Sequence, residues 1–285
     1  MTQAVLVLGS HGTIGKCLCN YLDTKGLTVV KWDLKMGQEY DLRKQGVLDN
    51  VLKTVDYVIF LAFDVGGAKY DVYNKNFMDN NMNLIINTFD SLAKANIPFI
   101  YTTSCMSNMI SNPYGVLKKI SEHYVNTMNG INIKLWNVYG SEEINDKSHV
   151  IPDFIESALT KNVINMKSSG DDSRQFIHSS DLAKAIYLVM NNHAHYINEK
   201  CIDVSSYQWI SIYDVAKKIQ TVLKKAYNKD IKVIRGVGGD NHTLKNEPRR
   251  STLNENWKPC IELEEGITQI IKLTQRVTDN VSKCE

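Results

Sequence analysis

The chain has 285 residues, 43% of them apolar, enough for one large core or two closely joined units. Its 33 Lys and Arg nearly balance 31 Asp and Glu, for a formal charge of +2, so no overall field points to nucleic acid. No apolar run approaches membrane length and the first residues enter a strand pattern directly, so we expect no membrane partner and a cytoplasmic location.

Residues 4–8 form a continuous apolar run, the pattern of a buried parallel strand covered on both faces. Gly9, Gly12 and Gly15 follow at G-x-x-G-x-x-G spacing, and a helical stretch opens at Thr13-Ile14 and runs to about Asp23. Glycines there serve a tight turn, close approach of backbone to a pyrophosphate, and close packing of helix on strand. The helix N-terminus, with His11, Thr13 and Ile14, then faces the phosphates. A second strand, 27–32, ends in Asp33, placed to accept hydrogen bonds from an adenosine ribose. Asp33 would repel a 2′-phosphate and so favours NAD, while Lys31 and Lys35 leave NADP open.

Asp41-Leu42 reads as a short strand end near the adenine. Residues 55–62 form the next strand, and the loop Phe63-Asp64-Val65-Gly66-Gly67 permits close approach of a ligand. Helical spacing covers 71–96, a buried strand 98–103, a second long helix 113–128 and a further strand 131–138. This alternation argues for a doubly wound parallel α/β sheet. Beyond Gly140 helices are expected at 150–161, 180–192, 212–226 and 263–275, with short strands near Ile164, Phe176 and Ile202. We divide the chain into a dinucleotide-binding domain, 1–140, to which parts of 176–206 return, and a smaller substrate lobe, 141–285. The six cysteines, at 17, 19, 105, 201, 260 and 284, lack a paired metal spacing and read as reduced thiols, with no metal site.

Ser104, Tyr114 and Lys118 are the candidate catalytic residues. Tyr114 and Lys118 are four apart on a helix and share a face. A tyrosine of pKa near 10 is a poor base, and lowering it to about 7 requires roughly 4 kcal/mol. An ammonium about 4 Å away, at an effective dielectric near 20, supplies an interaction of that size. Ser104, at a strand end, can hold the reacting oxygen while Tyr114 moves its proton.

With the glycine turn, this set resembles the extended short-chain dehydrogenase/reductase family, in its nucleotide-sugar epimerase, dehydratase and reductase branch. The resemblance covers nearly the whole chain. It rests on the glycine turn, Asp33, Asp41-Leu42, Leu61-Ala62, Asn81, Thr102-Thr103-Ser104 and Tyr114-Gly115 with Lys118-Lys119. It implies a Rossmann-type fold with a smaller C-terminal substrate lobe, and a cofactor site that includes Asp41, Leu42, Leu61, Ala62, Asn81, Tyr114 and Lys118. A nucleotide-sugar substrate and a homodimer formed through 71–96 and 113–128 are also implied. Asn137-Val138-Tyr139-Gly140 resembles the family's substrate-side segment, and Arg174 and Arg249 stand in segments that place arginines on the diphosphate, which a guanidinium fork binds bidentately.

Dehydratases of this branch carry an Asp-Glu pair after the triad hydroxyl, where this chain has Cys105-Met106, so 4,6-dehydration is rejected. Asp64-Val65-Gly66-Gly67 is similar to a loop of GDP-fucose synthase and GDP-mannose 3,5-epimerase, and Ser148-His149-Val150-Ile151-Pro152 to a segment of GDP-fucose synthase. This implies His149 as an acid and a cysteine base two positions after the triad hydroxyl, a place held by Met106 if Ser104 is that hydroxyl and by Cys105 if Thr103 is. The expected activity is hydride transfer at C4 of an NDP-hexose, most simply reduction of a 4-keto-6-deoxy sugar. A 4-epimerase with bound NAD, and a non-catalytic NAD(P) sensor, are the alternatives.

Overall fold

Strands with no polar face need cover on both sides, and the cover here comes from two helical layers. In the computed structural model, which describes residues 2–65, 70–145, 148–238 and 247–281, strands and helices alternate through the first half. They are β1 (Ala4–Leu8), α1 (Thr13–Thr24), β2 (Thr28–Trp32), β3 (Tyr57–Phe60), α2 (Lys75–Ala95), β4 (Phe99–Ser104), α3 (Pro113–Val125) and β5 (Gly130–Leu135). The second half holds β6 (Asn137–Tyr139), α4 (Val150–Lys161), β7 (Val163–Asn165), β8 (Ser173–Arg174), β9 (Phe176–His178), α5 (Ser179–Asn191) and α6 (His193–Tyr196). It ends with β10 (Cys201–Val204), β11 (Ile210–Ser211), α7 (Ile212–Tyr227), β12 (Lys232–Ile234), α8 (Leu253–Asn256) and α9 (Leu263–Val281).

The main sheet is six-stranded and parallel, in the order β10-β5-β4-β3-β1-β2. Strand order reverses beside β1, and the carboxyl edge at that switch point is where such sheets bind ligands. Alternate side chains feed two cores. Val5, Val7, Ile100 and Ile133 pack with Leu18 and Leu22 of α1 and Leu182 and Ile186 of α5. Leu6, Leu8, Phe60 and Tyr101 pack with Phe77 and Phe89 of α2 and Leu117 of α3. A third core joins α4, α7 and α9 through Ile151, Ile155, Val215, Ile219, Ile267 and Ile271. Beside the main sheet, β6 pairs with β9 and β7 with β12 in parallel, and β8 pairs with β11 antiparallel.

Several elements differ from the sequence expectation. No strand forms at Asp41-Leu42, which follows two short 3₁₀ turns, Leu34–Met36 and Gln38–Tyr40. The helix expected from residue 71 starts at Lys75, because Asn74 caps it by accepting from the Phe77 amide at 2.9 Å. The helix expected to reach 128 ends at Val125. The strand expected over 131–138 is two strands broken at Trp136, the second leaving the main sheet for β9. Gly66 and Gly67 lie outside the described residues. Among the described residues no helix is long and apolar enough to cross a membrane.

Candidate active site

The glycine turn joins β1 to α1 with little room to spare. Gly9 has φ +87°, and a Cβ there would lie 2.7 Å from the Ala62 amide nitrogen, so the strand ends of β1 and β3 meet at this glycine. A Cβ on Gly15 would fall 2.1 Å from the Gly9 carbonyl oxygen, which makes Gly15 the contact between helix and turn. Gly12 is different: a Cβ there would meet only the Gly9 oxygen, at an ordinary 3.5 Å. The protein's own packing therefore does not demand glycine at 12. Gly12 is the residue before α1, no side chain caps it, and Thr13 and Ile14 open the helix with Ile14 packed into the core. An open backbone at a positive helix end fits a pyrophosphate.

Asp33 follows β2, its two carboxylate oxygens accepting from the His11 amide and the Lys35 amide, each at 2.9 Å. It thus ties the glycine turn to the next strand end while remaining partly exposed. Leu61 and Ala62 follow β3, both amides donating to the Leu8 carbonyl at 2.9 Å. Asp41 follows the second 3₁₀ turn. Its carboxylate is buried and held by Arg43, Nε at 2.8 Å and a terminal nitrogen at 2.9 Å, and that guanidinium keeps its pKa below the ordinary carboxylate value. Leu42 is buried in the second core. Asn81 is fully buried, accepts from the Asp64 amide at 2.8 Å and donates to the Asp64 and Phe77 carbonyls, so it positions the loop after β3.

Ser104 ends β4, and its hydroxyl accepts from the Met106 amide at 3.2 Å, starting a 3₁₀ turn over Cys105–Asn108. Asn112 caps α3 by accepting from the Tyr114 and Gly115 amides at 2.9 and 3.3 Å, with Pro113 in the first turn. A Cβ on Gly115 would lie 2.3 Å from the Met106 carbonyl oxygen, so this glycine lets α3 close onto the 3₁₀ turn. That approach brings the Tyr114 hydroxyl near Ser104. Burial pushes the Tyr114 hydroxyl well above its ordinary pKa, with Ser104 acting the other way. Tyr114 is a neutral donor here.

Lys118 departs from the expected arrangement. Its ammonium donates to the Thr102 carbonyl at 2.8 Å and lies 3.9 Å from the centroid of the Phe63 ring, but 5.8 Å from that of Tyr114. Burial lowers its pKa from 10.5 to about 7. Between those values the unfolded chain binds the extra proton, so stability rises with pH across that window. Lys118→Met is accordingly expected to flatten the rise and to raise stability at neutral pH while abolishing turnover. Urea unfolding at a series of pH values checks this.

Cys105 follows Ser104 and is buried. Burial pushes its thiol to about 11, so it is protonated at neutral pH. It packs with Trp136, Met106, Met109 and Trp209, none of which the sequence singled out as site residues. Below them, Trp136 Nε1 donates to Asp203 at 2.9 Å, while Trp209 Nε1 donates to Glu247 at 2.8 Å. Arg249 is exposed and reaches Asp203 at 3.9 Å. Arg174, in β8, donates to the Ser173 carbonyl at 2.7 Å, lies 3.7 Å from Asp172, and its charge acts on Cys105. Asn137 opens β6 with its side-chain oxygen buried and unpartnered. Tryptophans carry no fixed-spacing signal, and only their positions after Leu135 and before β11 could have suggested this cluster.

His149 stands at the start of α4 and pairs with Glu142 at 2.9 Å. The Glu142 hydrogen bond raises its pKa above 6.5. The pair's contribution to stability is complete below the unfolded value and is lost as pH rises through the folded one. Glu142→Gln is expected to return His149 toward 6.5 in an NMR titration.

A parallel sheet of this order, with a glycine turn after its first strand and serine, tyrosine and lysine gathered past its fourth, defines a class, the extended short-chain dehydrogenases/reductases, whose cofactor is NAD or NADP. The chain belongs to the NAD dependent epimerase/dehydratase family, whose model matches residues 5–202. It is similar to a dTDP-4-dehydro-6-deoxyglucose reductase of Escherichia coli, 23% identical over 95% of this chain and 97% of that one. A probable GDP-L-fucose synthase of Oryza sativa subsp. japonica is 23% identical over 94% and 90% of the two chains. Among solved structures, a GDP-6-OMe-4-keto-L-xylo-heptose reductase from C. jejuni has a TM-score of 0.83 at 18% identity, covering 96% of this chain and 98% of that one. The chain is an enzyme of this nucleotide-sugar reductase, epimerase and dehydratase family.

Proposed function

We propose that the chain reduces the 4-keto group of an NDP-linked 4-keto-6-deoxyhexose. What supports this reading is that Ser104 and Tyr114 stand near one another, with a buried, protonated Cys105 beside them. One proton donor at one oxygen suits reduction, whereas dehydration and 3,5-epimerisation require a further base. Tyr114 delivers the proton to O4, and Ser104 holds that oxygen. When bound, the nicotinamide supplies the hydride to C4.

Gly9, His11, Gly12, Thr13, Ile14 and Gly15 offer backbone to the pyrophosphate, Asp33 accepts from the ribose hydroxyls, and Leu61 and Ala62 line the groove. Lys118 serves the nicotinamide ribose. Asn137, Arg174 and Arg249 address the sugar and its diphosphate, and His149 is a donor at the edge of this lobe. The wall of Met106, Met109 and Trp209 is apolar and suits a deoxygenated sugar position. Residues 1–140 with β10 form the cofactor domain, and most of 141–285 forms the substrate lobe. A homodimer through the outer faces of α2 and α3 fits the exposed Ile86 and Tyr124, and light scattering checks it.

The test mixes the enzyme with NADH or NADPH and UDP-, GDP- and dTDP-linked hexoses and their 4-keto-6-deoxy forms. One-for-one loss of reduced cofactor with a 4-keto sugar is the expected result. Exchange of sugar isomers with no net cofactor change would make the chain a 4-epimerase, and cofactor binding without turnover of any sugar would make it a sensor.

A further inference from the structure

A second cluster of reactive side chains lies on α5, where that helix meets the segment leading into α9. Asp181 is fully buried, and one of its oxygens accepts from the Cys260 and Ile261 amides at 2.9 and 2.8 Å. The other accepts from the Cys260 thiol at 3.0 Å and from the Lys184 ammonium at 3.1 Å. Lys184 Nζ is also 3.1 Å from Cys260 Sγ. Nitrogen, sulfur and carboxylate oxygen therefore form a nearly equilateral triangle. The two backbone bonds to Asp181 fix the segment that carries the sulfur, and the lysine is held against it. Among the described cysteines Cys260 is the exposed one; Cys17 and Cys201 are half-buried and Cys19 and Cys105 are buried.

A thiol that is open to solvent and touching an amine has two reactions within reach that a buried thiol lacks. A solute can oxidise it, and the neighbouring nitrogen can then capture the oxidised sulfur. We propose that Cys260 and Lys184 are an oxidative modification site, at which a hydroperoxide joins the two side chains through a sulfur–nitrogen bond.

In the first step the Cys260 sulfur attacks the O–O bond of the peroxide. An S–O bond forms and the O–O bond breaks, sulfur being oxidised to the sulfenic acid and the peroxide reduced to water. In the second, Lys184, having passed a proton to solvent by way of Asp181, attacks that sulfur and displaces the hydroxyl as water. Thiol, amine and one hydrogen peroxide thus give the sulfenamide and two waters. The link ties α5, at the back of the first core, to the 257–262 segment. A dithiol reductant reverses it: one thiol attacks the sulfur and releases the amine, leaving a mixed disulfide that the second thiol resolves to free Cys260 and a disulfide of the reductant. This inference does not rest on the proposed reaction of Ser104 and Tyr114.

The test treats the full chain with hydrogen peroxide and digests it without reductant for peptide mass spectrometry. The expected product is a linked pair of peptides containing residues 184 and 260, lighter by two hydrogens than their sum. Dithiothreitol should remove it, and it should be lost in Cys260→Ser and Lys184→Gln. Asp181→Asn, which alters only the positioning carboxylate, is expected to slow its formation. Wild-type protein in which residue 260 is unmodified, or oxidised only to sulfinic or sulfonic acid with no linked pair, would overturn the proposal without touching the reading of the active site.

Discussion

Replacing Tyr114 by Phe is expected to lower turnover about 10²–10⁴-fold while sparing cofactor affinity. The substitution removes one oxygen and leaves the ring, which sits edge-on to Phe63 with centroids 5.5 Å apart. Ser104 keeps its bond from the Met106 amide, so the strand end does not move. Lys118 is anchored on the Thr102 carbonyl and on Phe63, not on the tyrosine hydroxyl, and so stays in place. What is lost is the proton. Burial keeps Tyr114 protonated, the form that donates to an oxygen gaining negative charge. Cofactor titration by fluorescence together with single-turnover absorbance separates the two effects, and undiminished turnover in the variant would remove Tyr114 from the chemistry.

Gly15→Ala and Gly12→Ala are expected to fail in different ways. At Gly15 the new methyl would sit 2.1 Å from the Gly9 oxygen and 2.8 Å from the Ser10 Cα, both backbone atoms that cannot swing aside. The helix must back away from β1, at a cost of roughly 1–3 kcal/mol or more. At Gly12 the nearest atom is 3.5 Å away, so the unbound protein accommodates the methyl. There the loss falls on the cofactor, whose pyrophosphate needs that backbone bare. Thermal unfolding and cofactor binding, measured on both variants, should therefore dissociate: Gly15→Ala lowers the unfolding temperature, and Gly12→Ala weakens binding with the unfolding temperature unchanged. Equal destabilisation by both would contradict this division.

The strands were legible because their signal is local. Residues 4–8 and 99–101 are apolar throughout, and a strand buried on both faces leaves that mark. The glycine turn and the Asn112-Pro113 start of α3 were equally local. What could not be read depended on partners far along the chain. Helical spacing placed Tyr114 and Lys118 on one face, but the ammonium turns to Thr102 on β4, an acceptor that only the packing of α3 on the sheet supplies. Burial, not charge, then sets both pKa values. The sequence carries no sign that Arg43, two residues on, holds both oxygens of Asp41. Nor does it show that Asn81 holds the loop after β3 by accepting from the Asp64 amide. Trp136 reads as one residue of a long strand, and its indole bond to Asp203 stands at the point where β5 ends and the chain switches sheets.

The measurement that bears most directly on the reaction uses NADH or NADPH deuterated at the transferring position. It is incubated with a dTDP- or GDP-linked 4-keto-6-deoxyhexose, and the sugar is analysed by mass spectrometry and NMR. The expected result is a single deuterium at C4 for each cofactor oxidised. Sugar isomerised without deuterium, with the cofactor spectrum unchanged, would contradict reduction and assign the chain to epimerisation instead.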